Sequence, residues 1–544
     1  MKPVPFFSVV ALVLAACVPA STIAPPAPAP RPAAAAPTAQ ARKATPSEAP
    51  SNWQLLDETA DGVTGISSDR AMRELLTGVL PRRTVVVAVI DGGTDTAHID
   101  LRANLWSNPK EIAGNSKDDD GNGYVDDVRG WNFIGGKDGR DVDHDTHEVT
   151  RQFVRCTSAA PPYPADKCAA ITADFEKTRS EAQQTLAQVK QIDSVLTAIS
   201  RVLRTATGTD SLTLDRVRSL QPTDPNLVRA RSIYLQLNAQ GLNRHEIDEG
   251  FKAYESRVKY GLNPSFDSRA IVGDNYANMS ERKYGNADVT GPDASHGTHV
   301  AGIIGAVRDN GLGIDGIAPS VRLMIVRTVP DGDERDKDVA NAIRYATDNG
   351  AQVINMSFGK GYSPDKTAVD DAVKYADARG VLMIHAAGND GADLAQKPNF
   401  PTPLYANGGR ALNWIEVGAS SWKGGDSLAA PFSNYSHDLV DVFAPGVDIL
   451  STVPGGKYER DSGTSMASPV VTGLAALLMA YFPTLTATDV RTIILSSAAA
   501  RTSQMVVRPG GKDKVPFGSL SVTGGVVNAY DAVKMAQQMT ATRP

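Results

Sequence analysis

Residues 85–93 read Val-Val-Val-Ala-Val-Ile-Asp-Gly-Gly, an apolar and largely β-branched run that ends at a carboxylate. Two further runs, residues 353–356 and 381–384, have the same short, apolar composition. Such runs are typical of strands buried on both faces of a parallel sheet. Asp91 and Asn389 come where such runs end, and open α/β sheets bind ligands beyond the carboxyl ends of their strands. The sequence therefore predicts an α/β fold with functional side chains at one edge of the sheet.

Two other motifs supply the groups that complete a candidate active site. Ser-His296-Gly-Thr-His-Val-Ala-Gly contains an imidazole, and Ser-Gly-Thr-Ser465-Met-Ala-Ser-Pro contains a hydroxyl. A serine hydroxyl is a poor nucleophile until an imidazole takes its proton, and the imidazole needs a carboxylate, here Asp91, to fix its tautomer. The apolar stretch 470–479 predicts a buried helix that begins near Ser465. The free N–H groups of a helix start stabilise a developing negative charge.

These motifs, in the chain order Asp, His, Ser, resemble those of the subtilase family of serine peptidases. The segment Val-Leu-Met-Ile-His-Ala-Ala-Gly-Asn389-Asp resembles the one from which subtilases present an asparagine amide to the oxyanion. The resemblance implies a subtilisin-like parallel sheet flanked by helices, a serine-type endopeptidase that acts on extended polypeptides, and catalysis without a cofactor. It also implies two substrate-binding walls, formed by Ser357, Phe358 and Gly359 on one side and by Ala386, Ala387 and Gly388 on the other.

His299, three residues after His296, is an alternative base or a partner in a metal site. In the subtilase pattern the first histidine is catalytic and the second packs on the following helix, and no Glu stands between the two as a zinc-protease motif requires. We therefore expect His296 to be the general base. Because this base must be neutral to act, activity should rise through about pH 6 to 8.

The N-terminus predicts export. Lys2 precedes an apolar stretch, residues 4–13, that is too short to span a membrane as a mature helix. Leu-Ala-Ala-Cys17 resembles the lipobox of bacterial lipoproteins, with an ordinary secretory peptide as the alternative. Residues 18–51 are dominated by Ala and Pro, which predicts a disordered tether. The resemblance to a lipoprotein implies a lipid on Cys17 and anchoring in a bacterial cell envelope, and Val18 favours the outer membrane.

The 544 residues are 42% hydrophobic and carry a formal net charge of −6, with a pI of about 5.8. This composition suits one large domain with an accessory domain. No basic cluster dominates, which disfavours nucleic-acid binding and leaves polypeptide substrates and a membrane as the expected partners. The sequence leaves the oligomeric state open. We expect a signal peptide with the lipobox cysteine at 1–17, the tether at 18–51, a peptidase domain at 52–140 and 266–536, a helical insertion at 141–265 and a C-terminal tail at 537–544.

The insertion is inferred from spacing. Asp91 and His296 lie 205 residues apart, far more than in compact subtilases. Apolar residues recur at intervals of three and four within 182–203, which predicts an amphipathic helix, and the stretches 226–242 and 246–260 predict two more. Most such stripes form an internal core. A partner-binding or substrate-gating role is the alternative.

An acidic loop at residues 118–129 predicts a cation site. Its oxygen side chains alternate around a glycine as in an EF-hand loop, although Arg129 stands where the EF-hand has Glu. Such a loop suits the roughly six to eight oxygen ligands of calcium. Asp127 or a distant carboxylate is expected to replace the missing Glu, and the alternative is an acidic surface turn. The predicted ligands of structural Ca²⁺ are Asp118, Asp120, Asn122, Tyr124 and Asp126.

Cys156 and Cys168 are the thiols that remain once Cys17 carries a lipid. In an oxidising compartment their spacing permits a disulfide, which we expect. The polar residues 141–148 contain Asp, Glu and His, but their spacing matches no specific metal site, and a hydrogen-bonded loop is expected there.

The sequence thus predicts an envelope-anchored serine endopeptidase that hydrolyses peptide bonds through an acyl-enzyme on Ser465. The alternative is a non-catalytic envelope protein that uses a peptidase fold and the helical insertion to bind partners. The presence of Asp91, His296, Asn389 and Ser465 together favours the enzyme. The segment between the tether and Asp91 is short for the folding-assistance domain of many secreted subtilases, so the route of maturation stays open.

Overall fold

The computed structural model describes residues 46 and 48–542. The predicted signal peptide, the lipidation site Cys17 and nearly all of the tether lie outside these residues. The chain divides into two compact units, one built from the described parts of 44–179 and 256–544 and the other from 180–255.

Most strands of the first unit form one nine-stranded sheet. The strands are β1 Val85–Asp91, β2 Gly130–Asn132, β3 Val321–Arg327, β4 Val353–Met356, β5 Leu382–Ala386, β6 Trp414–Ser420, β7 Val442–Pro445, β8 Ile449–Val453, β9 Lys457–Asp461, β10 Ala499–Ala500, β11 Met505–Val507, β12 Lys514–Pro516 and β13 Gly525–Val526. The order in the sheet is β10-β13-β7-β6-β5-β4-β1-β3-β2. Neighbours pair in parallel except β10 with β13, while β8 with β9 and β11 with β12 form two antiparallel pairs. The predicted parallel sheet of an α/β fold is confirmed.

Helices cover both faces of this sheet. Over both units, the helices of the described residues are α1 Glu58–Asp61, α2 Ser68–Glu74, α3 Glu148–Cys156, α4 Ala165–Thr207, α5 Leu214–Ser219, α6 Pro225–Ala239, α7 Arg244–Ser256, α8 Arg269–Val272, α9 Ser295–Gly305, α10 Asp336–Asp348, α11 Lys366–Asp377, α12 Thr464–Tyr481, α13 Ala487–Ser496 and α14 Ala529–Ala541. Apolar side chains of α2, α9, α12, α13 and α14 share one buried core with the sheet, and those of α10 and α11 share another. Because both faces are covered, the strands are apolar almost throughout rather than alternating.

Helix α12 is the centre of the first core. Among the described residues it is the one helix long and apolar enough to cross a bilayer, but 94% of its length is buried inside the fold. Its side chains pack on the four central strands β4, β5, β6 and β7. The apolar character of α12 is therefore that of a core helix, as its predicted stretch indicated.

The second unit contains α5 and α6 together with most of α7 and the C-terminal part of α4. Its core includes Val189, Leu196, Ile199 and Leu203, which lie on the predicted amphipathic stripe. Of the region expected to be one helical insertion, residues 141–179 and 256–265 instead group with the sheet. The physical reason is that α3 buries charged side chains against partners in the sheet unit.

The C-terminal segment also differs from expectation. Residues 537–541, predicted as part of a tail, continue α14 to Ala541. Ala536 is fully buried and the amide of Gln537 donates to the carbonyl oxygen of Leu75 at 3.4 Å, so the last helix packs on α2. Likewise Ala49, within the predicted tether, is buried and its carbonyl oxygen accepts from Arg460 at 2.9 Å.

Candidate active site

Asp91 and His296 are joined at the carboxyl end of β1. His296 Nδ1 donates to Asp91 Oδ1 at 2.8 Å, and the N–H of Gly92 donates to the same oxygen at 2.8 Å. His296 lies in the first turn of α9, which approaches the loop after β1 closely. A Cβ at Gly297 would lie 2.1 Å from the carbonyl oxygen of Gly93, so the motif needs glycine directly after the histidine.

The carboxylate sets the proton affinity of the imidazole. Burial by itself lowers the pKa of His296, but the charge of Asp91 and the hydrogen bond to it outweigh burial and hold this pKa above its ordinary value of 6.5. Asp91 is 2% exposed, and its second carboxylate oxygen has no hydrogen-bond partner among the described residues. The pair therefore fixes Nδ1 as a donor and leaves Nε2 as the ring nitrogen that can accept a proton.

Ser465 lies in the first turn of α12, directly after Thr464, where the helix begins. Its Oγ donates to the carbonyl oxygen of Ser357 at 3.1 Å. In the part of the chain that the structure describes, Ser465 makes no hydrogen bond to His296. A rotation of the serine side chain is needed to change that partner, which is common in enzymes without bound substrate.

A proline explains how this helix start is held against the sheet. Pro469 lacks the N–H that would bond to the carbonyl oxygen four residues earlier, so the carbonyl oxygen of Ser465 has no helical donor. The hydroxyl of Ser357 supplies the missing hydrogen bond at 2.9 Å. Because Ser357 follows β4, its hydroxyl fixes the segment that carries Ser465 to the edge of the sheet.

Asn389 lies beside the same helix start. Its Oδ1 accepts from both the N–H and the hydroxyl of Thr464, each at 2.9 Å, and that hydroxyl in turn accepts from the N–H of Gly388 at 3.0 Å. These bonds orient the amide so that its Nδ2 points away from Thr464. A Cβ placed on Gly463 would lie 3.4 Å from Asn389 Nδ2 and 3.5 Å from the backbone N of Ser465, so both donors border one small space.

The two predicted substrate-binding walls lie on neighbouring strands. Met356 pairs with His385 in the register of β4 and β5, so the segments 357–359 and 386–388 leave the sheet side by side. Asn399, which sequence analysis did not identify, closes the space between them. Its Nδ2 donates to the carbonyl oxygen of Ala386 at 3.2 Å and would lie 2.4 Å from a Cβ on Gly359. Phe358 is 9% exposed.

A buried histidine supports the first wall from behind. His385 is fully buried, its Nε2 donates to the carbonyl oxygen of Phe358 at 2.8 Å, and its Nδ1 pairs with Glu416 Oε1 at 2.8 Å. The other oxygen of Glu416 accepts from Trp414 at 2.9 Å. A histidine inside the apolar run before Asn389 was the sequence signal for this pair, but its partner comes from another strand.

His299 has a structural position. Its Nε2 donates to the carbonyl oxygens of Ile449 at 3.0 Å and Glu459 at 3.1 Å, which belong to the β8–β9 pair. Burial lowers the pKa of His299, so the ring is neutral. His299, the second histidine of the motif, therefore holds the β8–β9 pair against α9 through these hydrogen bonds.

The acidic loop brings together two carboxylates named from the sequence, Asp120 and Asp127, and a third, Glu111, that was not. Glu111, Asp120 and Asp127 form a group whose ligand atoms all lie within 4.8 Å of one another. Asp126, a predicted ligand, instead accepts three backbone N–H groups from residues 114–116. Asp118 accepts from the N–H groups of residues 122 and 123. Asn122 donates to Asp127, and the Tyr124 hydroxyl donates to the carbonyl oxygen of Arg282.

Glu111 and Asp127 carry the features of a cation site. Glu111 Oε2 is buried and has no hydrogen-bond partner within residues 46 and 48–542. Burial raises the pKa of Asp127 to about 6, although Tyr345, Asn108 and Asn122 donate hydrogen bonds to it. Three carboxylates that share one small volume repel each other, and a divalent cation relieves both the repulsion and the burial.

The structure contains the expected disulfide and a hydrogen-bonded loop before α3. A disulfide joins Cys156 and Cys168, whose Cα atoms are 5.2 Å apart. Residues 141–148 form a hydrogen-bonded loop in which His144 pairs with Asp331 at 2.9 Å and His147 with Asp333 at 3.0 Å.

A parallel α/β sheet that presents a carboxylate–imidazole pair and a helix-start serine at its carboxyl edge is the arrangement of a serine peptidase. A model of the subtilase family matches residues 82–515. The chain therefore belongs to the subtilase family, and it is a serine endopeptidase by class.

Two curated relatives and a solved structure give the extent of the similarity. The chain is 43% identical over 216 residues to a thermophilic serine proteinase of Bacillus sp. (strain AK1), covering 40% of this chain and 48% of the relative. It is 37% identical over 254 residues to subtilisin DY of Bacillus licheniformis, covering 46% of this chain and 81% of the relative. A solved structure, of proteases from Pseudoalteromonas arctica PAMC 21717, superposes with a TM-score of 0.47 at 19% sequence identity. The superposition covers 90% of this chain and 100% of the other chain.

Proposed function

We propose that this protein hydrolyses peptide bonds of extended polypeptides with Asp91 as orienting carboxylate, His296 as general base and Ser465 as nucleophile. The observation that carries the proposal is the 2.8 Å bond from His296 Nδ1 to Asp91 at the sheet edge where α12 begins. The bond keeps the proton on Nδ1, so Nε2 is free to accept the proton of the serine hydroxyl.

The chemical steps follow from these roles. Ser465 Oγ rotates away from the carbonyl oxygen of Ser357 and attacks the scissile carbonyl carbon, while its proton passes to His296 Nε2. The C–N bond then breaks, the leaving amine takes that proton, and an acyl-enzyme remains on Ser465. Water attacks the acyl carbon with His296 again accepting a proton, and the serine is regenerated.

Asn389 Nδ2 and the backbone N–H of Ser465 would stabilise the oxyanion of both steps. Thr464 acts as a positioning residue, because its two hydrogen bonds to Asn389 Oδ1 turn the amide nitrogen toward this space. Donors fixed before the reaction cost no reorganisation as charge develops, which is why such groups are effective.

The substrate is expected to be an extended chain. Main-chain hydrogen bonds to residues 357–359 would give affinity with little dependence on sequence. The small residues of the second wall, Ala386, Ala387 and Gly388, leave room for the side chain before the scissile bond, with Asn399 at its inner end.

Digestion of an unfolded protein such as reduced casein tests this function. Purified protein should generate peptides, Ser465→Ala should generate none above background, and Ser519→Ala, which changes an exposed serine elsewhere, should match the unaltered protein. Equal digestion by Ser465→Ala and the unaltered protein would refute the assignment of the nucleophile.

We also propose a structural calcium ion held by Glu111, Asp120 and Asp127. The support is the approach of their ligand atoms to within 4.8 Å and the unpartnered oxygen of Glu111. A ligand that binds only the folded state raises stability by mass action, so excess EGTA should lower the melting temperature, and Glu111→Gln should reduce that effect. An unchanged melting temperature in EGTA would refute the site.

Finally, we propose that the enzyme is exported and held in the bacterial cell envelope, in the outer membrane, by a lipid on Cys17. The support is the lipobox-like sequence Leu-Ala-Ala-Cys17 followed by the Ala- and Pro-rich stretch 18–51. Metabolic labelling with a palmitate analogue should mark the protein, and Cys17→Ser should abolish the label. Labelling of both forms, or of neither, would refute the anchor.

A further inference from the structure

Directly beyond the first substrate wall, a lysine is buried in a set of ionic contacts. Lys360 is 1% exposed, and its ammonium group lies 2.7 Å from Asp336 Oδ1, 3.2 Å from Glu148 Oε2 and 2.8 Å from the carbonyl oxygen of Glu334. An ammonium has three N–H donors, and these three acceptors use all of them. We call Lys360, Glu148, Asp336 and Glu334 the Lys360 cluster.

Helix α3 brings Glu148 into this cluster, and hydrogen bonds from Arg151 fix the helix to residues 333–334. Glu148 is 1% exposed and also accepts from Arg151 and Gln152, each at 2.6 Å. Arg151 Nη2 reaches the carbonyl oxygens of Asp333 at 3.1 Å and Glu334 at 3.2 Å. Each of the buried charges Lys360, Glu148 and Asp336 therefore has an opposite charge next to it.

The Lys360 cluster lies three residues along the first wall from the segment that contacts Ser465. Ser357 contacts Ser465, and Lys360 follows three residues later. With a strand rise of about 3.3 Å per residue, Lys360 lies roughly 10 Å from the point of attack. The Lys360 backbone is itself paired in both directions with Phe400, at 3.1 and 2.8 Å.

A peptide bound along this wall would run toward the cluster. With the residue before the scissile bond between the two walls, the residues that precede it extend along 358–359. Three residues before the bond then lie along 357–359, and a fourth would reach the position of Lys360, which is buried against Glu148 and Asp336.

We propose that the Lys360 cluster closes the acyl-side end of the substrate cleft, so that the enzyme binds about three residues before the scissile bond and gains nothing from more distant ones. This inference rests on the proposed function and adds to it a limit on the length of substrate that the cleft binds before the scissile bond. It also assigns a role to α3, which lies in the long segment between Asp91 and His296: Glu148 helps to close the cleft.

A length series of peptides tests the proposal on the unaltered protein. Peptidyl p-nitroanilides with phenylalanine before the scissile bond and alanine elsewhere are extended from two to six residues. In an open cleft each added residue that gains a backbone hydrogen bond should raise kcat/KM by about fivefold. We expect kcat/KM to rise up to three residues and to change by less than about twofold from three to six.

A continued rise of tenfold or more between three and five residues would overturn the closed end while leaving the peptidase activity established. If no member of the series is cut and no fluorophosphonate labels Ser465, the proposed function fails and this inference fails with it.

Opening the cluster gives a second measurement. Lys360→Ala removes the ammonium, while Glu148 keeps Arg151 and Asp336 keeps Ser363 at 3.0 Å and the N–H of Asp365 at 2.8 Å. The folded protein, checked by its melting temperature, should now favour five-residue over three-residue peptides by about fivefold. Lys366→Ala, which breaks a 2.5 Å ion pair with Asp370 elsewhere, should keep the original length profile. An unaltered profile for Lys360→Ala would overturn the assignment to this cluster.

Discussion

The start of α12 and the Lys360 cluster hold polar groups along the same wall in different ways. Around the start of α12, each group lies at the end of a strand or the start of a helix, and within the described residues Asn389 Nδ2, His296 Nε2 and the N–H of Ser465 make no hydrogen bond. In the Lys360 cluster the charges are buried and paired with one another. The first arrangement leaves hydrogen-bonding capacity for a substrate, whereas the second consumes it in holding the fold together. Changes at the first region should therefore cost rate, and changes at the second should cost stability.

The largest effect is expected from the base. His296→Ala removes the acceptor for the serine proton and should lower kcat by about 10⁶-fold, the size of loss known for the equivalent change in a subtilisin. Its melting temperature should fall less than that of Glu148→Ala, because Asp91 keeps the hydrogen bond from the N–H of Gly92. Rates on a short peptide substrate give kcat, and a thermal melt gives the melting temperature. A collapse of the fold in this variant would break the contrast between the two regions.

The oxyanion donor ranks next. Asn389→Ala deletes the amide that we propose acts only when negative charge develops, so kcat should fall by about 10²–10³-fold with little change in KM. Asn238→Ala, in the helical unit, serves as the control and should leave both constants unchanged. A rise in KM with kcat preserved would indicate that Asn389 binds the ground state instead.

The buried acid of the Lys360 cluster should show the opposite behaviour. Arg151 and Lys360 outweigh burial and hold the pKa of Glu148 at about 2, so the carboxylate is charged at neutral pH. Glu148→Ala leaves those cations without this partner and should lower the free energy of unfolding by about 3–5 kcal/mol. Denaturant melts of this variant and of Glu176→Ala, an exposed acid on α4, measure the difference. Equal free energies of unfolding for the two variants would show that the Lys360 cluster contributes little to stability.

The smallest effect concerns pH. His296 must be neutral to act, and its pKa lies above 6.5 because Asp91 stabilises the protonated ring. The acidic limb of kcat/KM should therefore reach half its maximum above pH 6.5, and activity should be lost as pH falls through that value. Asp91→Asn should move the limb to lower pH, since the stabilising charge is gone. A limb below pH 6 in the unaltered protein would contradict this assignment.

Short motifs were enough to place the candidate site residues at the carboxyl edge of the sheet, because each of these residues is set by local chemistry. Asp91 ends a buried strand, Ser465 opens a helix, and Asn389 follows a third apolar run, so short motifs were sufficient. The parallel sheet followed from the same runs, and it is confirmed.

Long-range partners were the part that the sequence could not supply. Lys360 and Glu148 are 212 residues apart, and nothing near either residue indicates that they are paired. The acidic loop shows the same limit: local spacing suggested Asp126 as a ligand, but its carboxylate caps residues 114–116, and Glu111 from outside the motif takes a place in the group. The boundary of the helical insertion shifted because α3 buries its charges against the sheet unit.

The most direct test of the central claim is active-site labelling. The purified protein is treated with a fluorophosphonate probe beside Ser465→Ala and His296→Ala, and the modified residue is located by mass spectrometry. We expect a single label on Ser465, absent from Ser465→Ala and strongly reduced in His296→Ala. A label on another residue, or equal labelling in all three proteins, would contradict it.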